Sequence, residues 1–328
     1  MAPRAVKGLR SARLQNDSQD CVVVDESLST VLMRVNDMSK QNTSSFILTA
    51  SAPRRVGVLD VLTSSLAQAG AYINELHSFD DVESNQFFFR AAFGFAEGKT
   101  FDVDSFNQRV EVKAQDYSMT WQVDSVEKKP RIVILVSKHD HCLNDLLYRY
   151  RTGQLKIEIP AIISNHPDLA PLAEWHGIPY HHLPISEETK PQQERQIMEI
   201  VGATNADLVV LARYMQVLSE DLCRKLEGRA INIHHSLLPG FKGARPYEQA
   251  YRKGVKLVGA TAHYVTSDLD EGPIITQGVE VVDHSYYASD LTEKGRHIEC
   301  QTLARALQYH IEKRIFVDQG KTIIFANA

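Results

Sequence analysis

Ile132-Val133-Ile134-Leu135-Val136 is an unbroken run of apolar, mostly β-branched residues, the pattern of a strand buried on both faces. After it, Leu143 to Tyr150 carries helical spacing. Further buried-strand runs follow at Ile157 to Ile163, Pro179 to Leu183, Leu208 to Leu211 and Ile231 to Ile233, separated by helical stretches such as Gln192 to Val201 and Ser219 to Leu226. Strands alternating with helices predict an α/β domain built on a doubly wound parallel sheet. Ligands of such sheets sit beyond the carboxyl ends of the strands, which directs attention to the residues after Leu211 and Ile231.

Upstream, Val126 to Pro130 is charged and ends in proline, as linkers do, so a second domain should precede it. A chain of 328 residues is long enough for two cores. Residues 45–125 show a short apolar run (Phe46 to Thr49), an amphipathic stretch (Val58 to Ala69) and two strand-like runs (Ala71 to Phe79, Phe87 to Phe95). A helical stretch (Val103 to Ala114) and a last strand (Thr120 to Val123) complete a βαββαβ, ferredoxin-like order. Residues 1–44 are polar and irregular and read as a disordered leader. Arg4, Lys7, Arg10 and Arg13, with no acid before Asp17, are also compatible with a mitochondrial presequence.

A net charge of -5 provides no broad basic field, which argues against nucleic acid as a partner. Cys21, Cys142, Cys223 and Cys300 include no C-x-x-C pair, so neither a disulfide framework nor a zinc knuckle is expected, and a reducing, cytoplasmic setting fits. The mitochondrial matrix is the alternative that the basic leader leaves open. No apolar run reaches membrane-spanning length. Gly94-Phe95-Ala96-Glu97-Gly98-Lys99-Thr100 falls one residue short of a phosphate-cradling loop and reads as a turn. The many histidines show no diagnostic metal spacing, so no metal is expected.

In Ile231-Asn232-Ile233-His234-His235-Ser236-Leu237-Leu238-Pro239 the two-residue strand period points Asn232 and His234 to one side. Downstream, Ser267-Asp268-Leu269-Asp270-Glu271-Gly272-Pro273 is a sharp turn that carries Asp270 between two strand-like runs. An amide, an imidazole and a carboxylate are the parts needed to attack a carbonyl: the first two hold an oxyanion and the third handles a proton. Taken singly, each has a plainer account, as a turn residue, a satisfied core histidine and a turn former.

Taken together, Asn232-Ile233-His234, Ser236-Leu237-Leu238-Pro239 and Leu269-Asp270-Glu271-Gly272-Pro273 resemble the 10-formyltetrahydrofolate transferase family. The resemblance implies a catalytic triad of Asn232, His234 and Asp270. It also implies a pterin-wrapping segment, Leu208 to Ser219, with Leu211, Arg213, Met215, Gln216, Val217 and Leu218 toward the folate. His263 matches a further histidine beside the active site, for which a structural role stands equally. Residues 45–125, with Arg54-Arg55-Val56-Gly57 ending the first strand, resemble an ACT domain, a module that binds amino acids between paired copies. Arg55 and Gly57 are its effector candidates, although the acid and proline usual at this turn are missing.

Three features narrow the resemblance to the hydrolytic branch, the formyltetrahydrofolate deformylases: the ACT-like front, Ser137-Lys138-His139-Asp140-His141-Cys142-Leu143, and the doubled His234-His235. A phosphorylated acceptor would need a glycine-rich anion cradle after the first sheet strand, yet no glycine occurs between Val136 and Gly153. Water then becomes the acceptor. The resemblance implies hydrolysis of 10-formyltetrahydrofolate to tetrahydrofolate and formate without a cofactor, supplying formate for purine biosynthesis and balancing the one-carbon pool. It further implies a formyltransferase-like catalytic domain over 131–328 and a homodimer or homotetramer. The rival from another class is a catalytically silent folate or amino-acid sensor.

Overall fold

The computed structural model describes residues 45–240 and 246–326; the leader expected over 1–44 lies outside the described residues. The first part runs β1 (Ser45–Pro53), α1 (Val58–Ala69), β2 (Tyr72–Asp81), β3 (Gln86–Gly94), α2 (Val103–Ala114) and β4 (Thr120–Ser125), the expected βαββαβ order. Its strands form an antiparallel sheet in the order β2-β3-β1-β4. Gly57 and Gly70, both left-handed, bracket α1, and the Asp102 carboxylate caps α2 by accepting from the amides of Asp104 and Ser105. Alternate residues of β3, Phe89, Ala91 and Phe93, pack against Leu62 and Leu66 of α1 and Phe106 and Val110 of α2. The Gly94 to Thr100 stretch is a turn: Lys99 Nζ donates to the Ala69 carbonyl at 2.6 Å, at the negative end of α1.

The second part contains β5 (Arg131–Val136), α3 (His141–Arg151), β6 (Glu158–Ser164), α4 (Ala170–Trp175), β7 (Tyr180–His182), α5 (Lys190–Ala203), β8 (Leu208–Leu211), α6 (Glu220–Lys225) and β9 (Ala230–His234). It continues with α7 (Pro246–Lys253), β10 (Leu257–Tyr264), β11 (Ile274–Val281) and α8 (Ala288–Ile311). The seven-stranded sheet has the order β11-β10-β9-β8-β5-β6-β7. Period two splits β5 between two cores. Ile132, Ile134 and Val136 join Leu143, Leu146, Leu303 and Leu307 on one face, while Val133 and Leu135 join Ile197, Val201 and Leu222 on the other. That is the physical content of double winding.

The expected doubly wound parallel sheet is present and carries an antiparallel edge. Strands β5 to β9 are parallel, but β10 is antiparallel to both β9 and β11. The turn from Tyr264 to Ile274 is too short for the crossover that parallel neighbours require. The 24-residue α8 is the longest described helix. It lies close on its neighbours because it carries Gly295, where a Cβ would strike the Tyr247 ring.

After α8 the chain forms a hairpin, β12 (Ile315–Asp318) and β13 (Lys321–Ile324), that rests on the face of the first sheet turned away from α1 and α2. Phe316 meets Phe88 with ring centroids 5.4 Å apart. Glu75 takes 2.7 Å and 3.1 Å contacts from the nearly buried guanidinium groups of Arg90 and Arg314. No described helix is long and apolar enough to cross a membrane.

Candidate active site

Strand β9 ends in the middle of the sheet, and its register determines what meets there. Asn232 pairs across the strands with His263 of β10, and His234 with Thr261. Cross-strand partners have adjacent side chains, so Asn232 Nδ2 and His263 Nε2 lie 3.2 Å apart. His263 Nδ1 lies 2.8 Å from the Tyr264 carbonyl, to which it can only donate, which leaves Nε2 to accept from the Asn232 amide. The amide orientation follows: Asn232 turns its NH2 toward His263, with its second N–H left for a ligand.

Asp270 reaches the same point from the β10–β11 turn, in a left-handed conformation (φ 58°) that Asp tolerates. The turn docks tightly. At Gly272 a Cβ would run into the Tyr264 carbonyl, and the Tyr264 amide donates to the Pro273 carbonyl at 3.0 Å. Asp270 Oδ2 consequently stands 3.2 Å from His234 Nδ1, and Oδ1 3.7 Å from His263 Nε2. Burial pushes the Asp270 carboxyl up, but the His234 imidazole facing it outweighs that and holds the group well below the usual carboxylate range. His234 Nε2 is buried with no hydrogen-bond partner.

The loop after β9 is held by Thr261 Oγ1, which donates to the Ser236 carbonyl and accepts from the Leu238 amide. On the other side, the segment after β8 is anchored by the Ala212 amide on the Leu135 carbonyl and by the Met215 amide on Ser137 Oγ at 3.0 Å. Those anchors leave Met215 and Val217 projecting, 51% and 54% exposed.

A cavity of about 540 Å³ lies between these elements. All ten residues expected at the site line it: Asn232, His234 and Asp270, together with Leu211, Arg213, Met215, Gln216, Val217, Leu218 and His263. Arg55 and Gly57 do not; they sit on the turn between β1 and α1. There Arg55 donates to the Asp116 carbonyl and stacks on Tyr117, and a Cβ on Gly57 would lie 2.7 Å from Tyr117 Oη.

The cavity also draws in residues not anticipated from sequence, chiefly His139, His141, His235, Tyr247, Arg296 and Glu299. Arg296 and Glu299 come from α8, one helical turn apart and so on one face. Glu299, 1% exposed, accepts from His141 Nε2 at 2.7 Å and Tyr247 Oη at 3.0 Å and lies 3.3 Å from Arg213 Nε. Burial would raise its pKa, but His141 and the charge of Arg213 keep it below its ordinary value. Burial depresses His235 to about 3, so that ring is neutral at any working pH.

His141, Cys142 and Glu299 place donor atoms within 4.8 Å of one another, a spacing that suits a cation. The local chemistry opposes one. The Arg213 guanidinium is already against Glu299, and contact with the Cys300 thiol together with burial pushes the Cys142 thiol well above its usual range.

Residues 130–307 match the formyl transferase family. The chain is 45% identical over 278 residues to a formyltetrahydrofolate deformylase of Corynebacterium sp. (strain P-1), covering 85% of this chain and 97% of that one. A crystal structure of a formyltetrahydrofolate deformylase from Pseudomonas putida KT2440 superposes with a TM-score of 0.81 at 55% identity, over 86% of this chain and all (100%) of that one. A glycinamide ribonucleotide transformylase from Symbiobacterium toebii superposes with a TM-score of 0.57 at 28% identity, over 60% of this chain and 95% of that one. The sheet that carries the site is thus shared with transferases, whereas the likeness to the deformylases extends over the ferredoxin-like first part as well. The chain belongs to the formyl transferase family and, within it, to the formyltetrahydrofolate deformylases.

Proposed function

We propose that this protein hydrolyses 10-formyltetrahydrofolate to tetrahydrofolate and formate, with Asn232, His234 and Asp270 as its catalytic residues. The observation that carries this reading is His234: one ring nitrogen is on an ionised carboxylate, and the other is buried, unpartnered and part of the cavity lining. The projecting Met215 and Val217, with the backbone of 211–218, offer a flat heterocycle an apolar surface and a hydrogen-bonding edge.

Water held by Asp270 adds to the formyl carbon and gives its proton to the carboxylate. The oxyanion takes hydrogen bonds from Nε2–H of protonated His234, whose Nδ1–H stays on Asp270, and from the free N–H of Asn232. As the bond from carbon to N10 breaks, the proton passes from Asp270 to N10, which leaves tetrahydrofolate and formic acid, and the acid releases its remaining proton to solvent to give formate. His263 positions Asn232 by accepting from its amide. The side chains and one water suffice, so the proposal includes no cofactor. A phosphorylated acceptor is disfavoured, because Asp140 occupies the N-terminus of α3 and ionised Glu299 lies beside His141 of the same turn.

On the same reading the formate released supplies purine biosynthesis and the reaction rebalances the one-carbon pool, in the cytoplasm or, as the alternative, the mitochondrial matrix. Residues 45–125 serve as a regulatory and dimerisation module joined by 126–130 to the catalytic domain at 131–328, with an amino-acid effector at the Arg55 to Gly57 turn. A homodimer or homotetramer is supported by β2, an outer strand that leaves Tyr72, Leu76 and Phe79 exposed.

Release of tetrahydrofolate from 10-formyltetrahydrofolate, followed spectrophotometrically with and without amine acceptors, tests the proposal. Turnover without an acceptor is expected. Turnover only with one would assign a transferase, and binding without turnover a sensor.

A further inference from the structure

The cavity lining has two characters. Met215, Val217, Leu218, Val265 and Leu269 form the apolar part, where a pterin fits. Another part is a polar wall beside His234. The His235 ring lies 5.2 Å from His234 and 6.1 Å from Tyr247, centroid to centroid, and Tyr247 donates to Glu299. Glu299 is held in turn by His141 and Arg213. With the folate on the apolar part, this polar lining is the part of the cavity left for a second substrate.

Arg213 is the unusual member. Its backbone is left-handed (φ 65°), a conformation that favours glycine, yet the position carries a large cation. The side chain is 9% exposed, crosses from the β8 loop to α8, and lies against Glu299. Its Nε and Nη1 are buried without a hydrogen-bond partner, because the 3.3 Å contact with Glu299 lacks hydrogen-bond alignment. A charged group kept in such a place needs a reason beyond stability, since a buried pair seldom outperforms an apolar one.

We propose that Arg213, paired with Glu299, selects the acceptor: the guanidinium and the carboxylate close the cavity to amines and leave room for water alone. This rests on the hydrolase reading above. An ammonium is repelled by the Arg213 cation and a phosphate by the Glu299 carboxylate, while the opposite charge that would attract each is already engaged within the pair. To admit either, the pair has to separate in a low-dielectric interior, whereas water is small enough to sit beside the intact pair. The related transformylase shares the sheet, so the choice between water and amine resides in side chains such as these rather than in the fold.

Arg213→Gly is the direct test, since glycine suits the left-handed backbone and opens the wall. It leaves Glu299 without its cation, so Arg213→Gly/Glu299→Gln is made alongside to keep the interior neutral. Arg213→Lys keeps a charge. Each is incubated with 10-formyltetrahydrofolate and glycinamide, and formate and N-formylglycinamide are quantified by mass spectrometry. In the transfer reaction the amine nitrogen bonds to the formyl carbon as the bond to N10 breaks, and the amine proton passes to N10. The ratio of the two products is read on whatever turnover remains, so destabilisation alone does not move it.

The expected result is formate only from the wild type and Arg213→Lys, with at least about a tenfold rise in the formylamide fraction for the two glycine variants. Formate alone from variants that turn over would overturn the proposal. So would loss of turnover with folate binding retained in both glycine variants, since Arg213 would then serve the hydrolysis itself. A wild type that does not turn over without glycinamide would instead defeat the hydrolase reading and leave no acceptor choice to explain.

Discussion

His234 Nδ1 and Asp270 Oδ2 stand 3.2 Å apart, with side chains only 6% and 8% exposed, although they come from a central strand and a distant turn. If the carboxylate handles the proton of the attacking water, Asp270→Asn should lower kcat by about 10²–10⁴ while folate KM changes little. Asparagine tolerates the left-handed backbone at this position, so the substitution isolates the charge. A variant that kept more than about a tenth of wild-type turnover would remove Asp270 from the chemistry.

The turn that delivers Asp270 has no room for a side chain at Gly272, which abuts the Tyr264 carbonyl. Gly272→Ala must push the turn off the end of β10 and carry Asp270 away from His234. We expect overpacking to cost about 1–3 kcal/mol, read as a lower Tm. Turnover should fall at least tenfold, because misplacement by about 1 Å costs on the order of 10² in rate.

Acid sensitivity should come in part from His310, whose Nδ1 lies 2.8 Å from Tyr264 Oη. Burial depresses this imidazole to about 4, against an ordinary 6.5. Between those values the unfolded chain binds the proton and the folded one does not, so stability falls as pH drops from 6.5 toward about 4. In His310→Gln, which retains a hydrogen-bonding side chain, the slope of denaturant-midpoint against pH should flatten in that window. An unchanged slope would mean that His310 is not the titrating group.

Glu75 binds the C-terminal hairpin to the first sheet through Arg90 and Arg314. Burial works against its charge, but hydrogen bonds from His77, Arg314 and Arg90 pull the carboxyl from 4.5 to about 2. A depressed carboxylate contributes above its unfolded pKa and loses that contribution as pH falls through the folded one, here from about 4.5 to about 2. Glu75→Gln should lower Tm at neutral pH and remove part of the acid dependence in that window. Calorimetry across pH 7 to 3 checks both.

The local elements were legible because each is specified by its own periodicity and punctuation. Helices α1 and α2 occupy the stretches their patterns predict, Val58–Ala69 between two glycines and Val103–Ala114 after a capping aspartate. Strand β8 is the uniform apolar run Leu208–Leu211. The pairing of Asn232 with His234 on one side followed from the strand period, and the structure places both on the cavity. Helix α8 escaped notice because buried Glu299 and Thr302 interrupt its apolar face, polar groups that only their distant partners make tolerable.

The sequence by itself determined the strands and helices whose periodicity is uninterrupted, and through the two-residue period that Asn232 and His234 share a face. Only the tertiary structure decided that β10 turns antiparallel, which sets His263 opposite Asn232 and brings Asp270 onto His234. It also decided that Arg213 of one loop meets Glu299 of a far helix. The physical reason is that a period is written in neighbouring residues, whereas strand direction and buried charge pairs depend on chain closure across long separations.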